Sequence, residues 1–167
     1  MKEIPLSQGM VALVDDEDYE DLMQFKWCAF RVGNAFYAMR RAYRNGKWTS
    51  ERLHRRIMNA QPGESVDHIN HNGLDCRREN LRLCAHSENL CNQVKQKRET
   101  SSRFKGACWN KRNGKWMSVI KRNGKQVYLG YFATDEEAAR AYDEAAKRLF
   151  GEFALLNFNN HTEVASC

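Results

Sequence analysis

The 167 residues are enough for one ordinary domain or two small ones, and 42% hydrophobic content is enough for compact folding but thin if several modules share it. No apolar run is long enough for a membrane-spanning helix and no secretory leader is seen, so the expectation is a cytoplasmic protein with reduced thiols and no membrane partner. A net charge of +6 favours a polyanionic partner, and none of Cys28, Cys76, Cys84, Cys91, Cys108 and Cys167 forms a Cys-x-x-Cys pair, so the spacing of a zinc ribbon is missing.

In chain order, Ile4-Pro5-Leu6 and 10–14 read as short strands. Residues 16–23 read as a short helix capped by Asp15 or Asp16, with the acids of 15–21 forming a solvated face. Strands at 27–31 and 35–44 follow, and Asn45-Gly46 turns the chain into a further strand over 47–53. Arg40, Arg41, Arg44, Lys47, Arg52, Arg55 and Arg56 cluster around this hairpin; they either flank a bound phosphate or only solvate the fold. Residues 53–58 are amphipathic, with His54 structural or phosphate-facing.

The most informative stretch is 67–92. Residues 65–69 read as a strand, 70–78 as a loop and 80–84 as a second strand by alternation. Ser87 can cap a helix running to about 94. This order of strand, loop, strand and helix carries Asp67, His68, Asn80 and Asn89: one carboxylate, one imidazole and two neutral amides. Phosphodiester hydrolysis needs a deprotonated water, relief of phosphate charge and help for the departing alkoxide. An imidazole can accept the proton near neutral pH. A hard cation takes oxygen ligands and needs only one or two carboxylates. Neighbours on a strand point to opposite sides, so Asp67 and His68 share a face only where the strand ends; His71-Asn72-Gly73 is a turn signal able to do this. A zinc set of Cys76, Cys84, Cys91 and His86 is the competing metal reading.

Over roughly 54–93, including Leu53-His54-Arg55-Arg56-Ile57-Met58, the segment resembles the ββα-metal module of HNH nucleases of the phage and intron homing type. The resemblance implies that Asp67 and Asn89 are metal ligands, His68 the general base, and Asn80 the amide that braces the loop and places the histidine. His71 stands where many relatives have glycine. The implied cofactor is a divalent cation, Mg²⁺ first and Mn²⁺ second.

The basic residues Lys95, Lys97, Arg98, Arg103, Lys105, Lys111, Arg112, Lys115, Lys121, Arg122 and Lys125 crowd one stretch with a single acid, Glu99. Residues 95–103 are polar without periodicity and read as a linker. Asn113-Gly114 and Asn123-Gly124 separate strands at 106–112, 115–122 and 125–132. Thr134 and Glu137 form a capping box for a helix whose stripe is Ala138, Ala141, Tyr142, Ala145 and Leu149. That stripe is expected to lie on the Trp116, Ile120, Val127 and Leu129 face, with Trp109 left open between a stacking contact and packing.

Phe104-Lys105-Gly106, Gly114-Lys115-Trp116, Tyr128-Leu129-Gly130-Tyr131-Phe132, Ala138-Ala139-Arg140-Ala141-Tyr142-Asp143 and Ala154-Leu155-Leu156-Asn157-Phe158 resemble the plant Apetala/ethylene-response DNA-binding domain. The resemblance implies DNA reading from the exposed sheet face, with Lys105, Lys115, Lys121, Gln126 and Tyr128 as contacts; Lys111, Arg112, Arg40 and Arg55 join them as further basic candidates. Cys108, Trp109 and Asn110 replace arginines common on the plant first strand.

The expected architecture is α+β. A β-rich module that leads into a ββα-metal nuclease motif (core about 54–93) spans 1–94, and a basic linker (95–103) follows. A three-stranded antiparallel sheet packed on one helix (104–158) and a tail (159–167) complete it. The expected activity is metal-dependent, site-selective nicking of double-stranded DNA by a monomer of phage or mobile-element type, against the alternative of a non-catalytic DNA binder with an inactive nuclease scaffold.

Overall fold

The computed structural model describes residues 1–44, 46–92, 101–122 and 124–158, leaving the side chains of Arg44, Ser87 and Cys91 outside that description. Most of the expected linker, the turn residues Asn45 and Asn123, and the tail from 159 also lie outside it. The fold is α+β, with antiparallel sheets of two or three strands and few helices. It divides into two compact units, 1–89 and 90–167.

In the first unit β1 (Lys2–Pro5) pairs with β2 (Val11–Val14), and α1 (Asp16–Met23) follows. Strands β3 (Cys28–Val32), β4 (Ala35–Arg44) and β5 (Lys47–Arg52) form an antiparallel meander that ends in the short helix α2 (Leu53–Ile57). Strand periodicity puts Ala12 and Val14 inward from β2, where they join Ile4, Leu22, Trp27, Ala38, Leu53, Ile57, Val66, Cys76 and Leu81 in one core. Burying each of the larger side chains contributes about 1.5–3 kcal/mol. The Trp27 indole N–H donates to the Leu22 carbonyl at 2.9 Å, so the largest ring enters with its polar atom satisfied.

The acidic run is not simply a solvated face. The Asp15 carboxylate does not cap its own helix; it accepts the Arg78 backbone N–H at 2.7 Å. Asp18 and Glu17 take the Arg78 guanidinium, and Asp21 takes that of Arg56 in a two-point contact. The Arg56 hydrogen bond holds the Asp21 carboxyl below its ordinary range. The acids of α1 therefore tie down arginines of the segment that follows.

Strands β6 (Ser65–His68) and β7 (Leu81–Cys84) pair antiparallel and lead into α3 (His86–Cys91). This helix starts one residue before the expected cap. Ala85 precedes it and Ser87 falls in its first turn, because Glu88 reaches back to accept the Ala85 N–H at 2.7 Å.

In the second unit β8 (Ala107–Asn110), β9 (Lys115–Arg122) and β10 (Lys125–Phe132) form an antiparallel sheet with β9 central, and α4 (Asp135–Phe150) packs on it. The Thr134–Glu137 capping box is formed in both directions. Of the expected stripe on α4, Ala138, Tyr142 and Ala145 are buried and Ala141 and Leu149 half-buried, while Ala139, Asp143 and Ala146 are buried as well. Asp143 is tolerated there because it accepts N–H bonds from Asn157 (backbone and side chain) and Phe158, each at 2.9 Å, fastening 157–158 to the helix. Val127 departs from expectation: it faces Ile120 in register yet is 42% exposed. It lies on an edge strand, and α4 packs mainly over β9.

Candidate functional site

Successive residues at the end of β6 engage different partners. Asp67 lies opposite Arg82 in the strand register, and its Oδ2 accepts Arg82 Nε at 2.9 Å and Nη2 at 2.7 Å. Both side chains are largely enclosed, and Arg82 supplies the counter-charge that a buried carboxylate requires. The His68 ring packs edge-on against His54 at 4.7 Å and lies 5.8 Å from Tyr37, with its Nε2 3.9 Å from Cys76 Sγ. Asp67 thus reaches toward Arg82, while His68 reaches toward His54 and Cys76.

The loop between β6 and β7 is held by backbone and amide hydrogen bonds. Asn80 is buried; its Nδ2 donates to the Asp75 carbonyl at 2.7 Å and its Oδ1 accepts the Asn70 N–H at 2.9 Å, spanning the loop. The Leu13 N–H donates to Leu74, and Cys76 donates back to Leu13, stitching the loop to β2. The Asp75 carboxyl is held below its usual range, chiefly by the Arg77 guanidinium and also by burial-opposing bonds from Asn70. Gly73 presses against β4: a Cβ there would meet the Phe36 carbonyl at 2.4 Å and the Tyr37 ring at 2.6 Å.

His71 has φ +63°, in the left-handed region that side chains other than glycine enter at a cost. Replacing His71 by Gly is expected to change stability by zero to about +1 kcal/mol, strain relief being offset by chain entropy; chemical denaturation checks it.

Burial drives the His54 imidazole down to about 3, with His68, Arg52 and Arg55 adding to it. Burial likewise lowers His68 to about 4, opposed by Asp67 and Asp75. Both folded values stand below the ordinary 6.5, so the unfolded chain binds protons first as pH falls. The resulting stabilisation is complete above pH 6.5 and is lost on the way down to the folded values. Between pH 6.5 and 5 the loss should be about 2–4 kcal/mol. Denaturation midpoints against pH test this, and His54→Phe should flatten the slope by about half.

For a divalent cation, Asp67 and Asn89 offer hard oxygen donors, one charged and one neutral, which suits Mg²⁺ or Mn²⁺. Asn89 sits half-buried in the first turns of α3, its N–H donating to Ala85.

The basic candidates separate by position. Lys115, Lys121, Gln126 and Tyr128 are exposed; register sets Lys121 beside Gln126 and Val119 beside Tyr128, on the sheet face away from Ile120 and α4. The Tyr128 and Tyr131 rings lie 5.2 Å apart, and Tyr131 accepts a hydrogen bond from Asn110 at 3.1 Å. Lys111 and Arg112 are exposed in the β8–β9 turn. Lys105 is half-buried, with its N–H donated to Asn157. Trp109 packs edge-on against Trp116 at 5.2 Å, which places it with the apolar side of the sheet. Arg40 is not brought to an open surface: its side chain is 14% exposed, paired with Glu51 and stacked 3.5 Å from the Phe25 ring. Arg55 spends its guanidinium on the carbonyls of Ala60, Gln61 and Glu64, which close the turn after α2.

Tyr37, Arg82 and the juxtaposition of His54 with Cys76 escaped the sequence reading. Pairing the two strands in register would have found Arg82 opposite Asp67; nothing in spacing alone joins His54 to Cys76.

This strand–loop–strand–helix falls in the segment that comparison with known proteins identifies. The HNH endonuclease family model matches residues 52–91, and the AP2 domain model matches 102–152. An uncharacterized HNH endonuclease of Acanthamoeba polyphaga mimivirus is 33% identical over 153 residues, covering 90% of this chain and 76% of that protein. APETALA2-like protein 2 of Oryza sativa subsp. japonica is 50% identical over 62 residues, 37% of this chain. Dehydration-responsive element-binding protein 2A of Arabidopsis thaliana is 47% identical over 57 residues, 32% of this chain. The chain spans only 14% and 17% of these two plant proteins. The chain belongs to the HNH endonuclease family and carries an AP2 domain in its second half.

Proposed function

We propose that this protein is a metal-dependent DNA endonuclease that nicks double-stranded DNA, with the HNH segment cutting and the AP2 domain docking. The observation that carries the reading is His68 at the end of β6 next to Asp67, with the following loop braced by Asn80. Asp67 and Asn89 would hold the divalent ion, Mg²⁺ or Mn²⁺. When bound, that ion supplies positive charge to the phosphate oxygens and to the leaving 3′ oxygen. His68 accepts the proton of the attacking water. Its depressed basicity keeps it unprotonated through the neutral range, while Asp67 and Asp75 favour the charge it gains. Arg82 holds Asp67 in place.

The exposed face with Lys115, Lys121, Gln126 and Tyr128 would lie against DNA, with Lys105, Lys111 and Arg112 at its margins. Phosphate contacts make affinity fall steeply with salt. One catalytic module reaches one phosphate, so a monomer nicks. The proposed setting is the cytoplasm of a cell hosting a phage or mobile element. Incubation with supercoiled plasmid and Mg²⁺, with and without chelator, tests the reading. Chelator-sensitive open-circle product supports it; DNA binding without product selects the non-catalytic alternative.

A further inference from the structure

The alternative zinc set of Cys76, Cys84, Cys91 and His86 includes the Cys91 side chain, which lies outside the described residues; among those described a different grouping stands out. His54, His68 and Cys76 are all buried, and one potential ligand atom from each lies within 4.8 Å of the other two. They come from α2, β6 and the β6–β7 loop. The Cys76 Sγ to His68 Nε2 distance is 3.9 Å. His54 is 3% exposed, and its Nδ1 is buried with no hydrogen-bond partner. A buried polar atom without a partner is costly and marks a place where a ligand is missing or a function is served.

We propose that His54, His68 and Cys76 form a site for a soft divalent ion of the Zn²⁺ class, and that its occupation switches the nuclease off. Two imidazole nitrogens and a thiolate are the donors Zn²⁺ selects, whereas Mg²⁺ prefers the oxygens of Asp67 and Asn89. The two sets share no side chain, so one ion does not substitute for the other by chemistry. Zinc bonds of about 2.0–2.3 Å put tetrahedral donors about 3.3–3.7 Å apart, so the trio must close by about an ångström. As the zinc–sulfur bond forms, the Cys76 thiol releases its proton to solvent. Burial pushes that thiol up to about 12, so it waits protonated and inert until a metal arrives. A neutral imidazole has one nitrogen lone pair. Once His68 gives it to the ion, none is left to take a proton from water, and cleavage stops. The switching half of this proposal rests on His68 as the base; the binding half does not.

The test uses the full chain. Co²⁺ replaces zinc as the probe. Wild type should develop tetrahedral visible bands and a thiolate-to-cobalt charge-transfer band, which Zn²⁺ then bleaches. Cys76→Ser should lose the charge-transfer band, His54→Gln should weaken binding at least ten-fold, and Cys84→Ser should change nothing. X-ray absorption on zinc-loaded wild type needs no variant and should give one sulfur with two imidazoles. No cobalt band in folded wild type, or two or more sulfurs on zinc, overturns the site. In excess Mg²⁺, Zn²⁺ should depress wild-type nicking at least ten-fold and Cys76→Ser nicking far less. Equal inhibition of both places the inhibitory ion elsewhere and overturns the switch. If wild type never nicks, the nuclease reading fails, while the cobalt spectrum still decides the site.

Discussion

His68→Ala is expected to lower plasmid nicking by roughly 10²–10⁴-fold while leaving DNA affinity within about two-fold. The ring sits at the end of β6, where the chain enters a loop spanned by the Asn80 amide. Removing it deletes the proposed proton acceptor and leaves the basic sheet face untouched. Folding is a separate question, because the ring packs against His54, Tyr37 and Cys76. His68→Gln keeps most of that volume without a basic nitrogen and should be as inactive as the alanine variant. Near-normal cutting by a folded His68→Gln protein would remove the histidine from the mechanism. The acid limb gives a further check: a base near 4 stays competent below pH 6, where an ordinary histidine would already be protonated.

Gly106→Ala should unfold or gravely loosen the AP2 unit, with a loss of about 3–5 kcal/mol. Gly106 has φ +83°, and a Cβ there would fall 2.0 Å from Tyr142 Cδ2 and 2.4 Å from its Cγ. Tyr142 cannot yield, being packed in the core with Ile120, Ala145 and Ala146. The Gly106 carbonyl is also fixed, accepting the Val119 N–H at 2.9 Å. Strain and overlap therefore add. Gly114→Ala is the control. Its φ is +58° but a Cβ would meet nothing within 4 Å, so only a backbone cost of about 1 kcal/mol is expected. Thermal denaturation and salt-titrated DNA binding of both variants check the contrast; equal behaviour would mean that the Tyr142 contact is not what makes Gly106 necessary.

Local chemistry was legible in proportion to how local its cause is. The α4 capping box involves residues three apart, and it formed as read. α1 spans the residues expected of it, yet its cap did not form, because Arg78, far along the chain, took the Asp15 carboxylate. Val127 alternates correctly but is exposed, since alternation assigns a face and not what covers it. Arg40 reads as a free cation until Glu51 and Phe25 are folded against it.

From the chain alone follow the two family resemblances, the α+β class, the basic character of the second half and the grouping of Asp67, His68, Asn80 and Asn89 in one short motif. All of these depend on residue identity and short spacing. Tertiary structure decided which charges are already spent, that Arg82 holds Asp67, and that His54, His68 and Cys76 meet in a buried cluster. Those outcomes depend on which strands and helices come to rest together. Contacts between distant segments leave no periodic trace in a sequence, and burial, which sets the state of each imidazole, is a property of the whole packed unit.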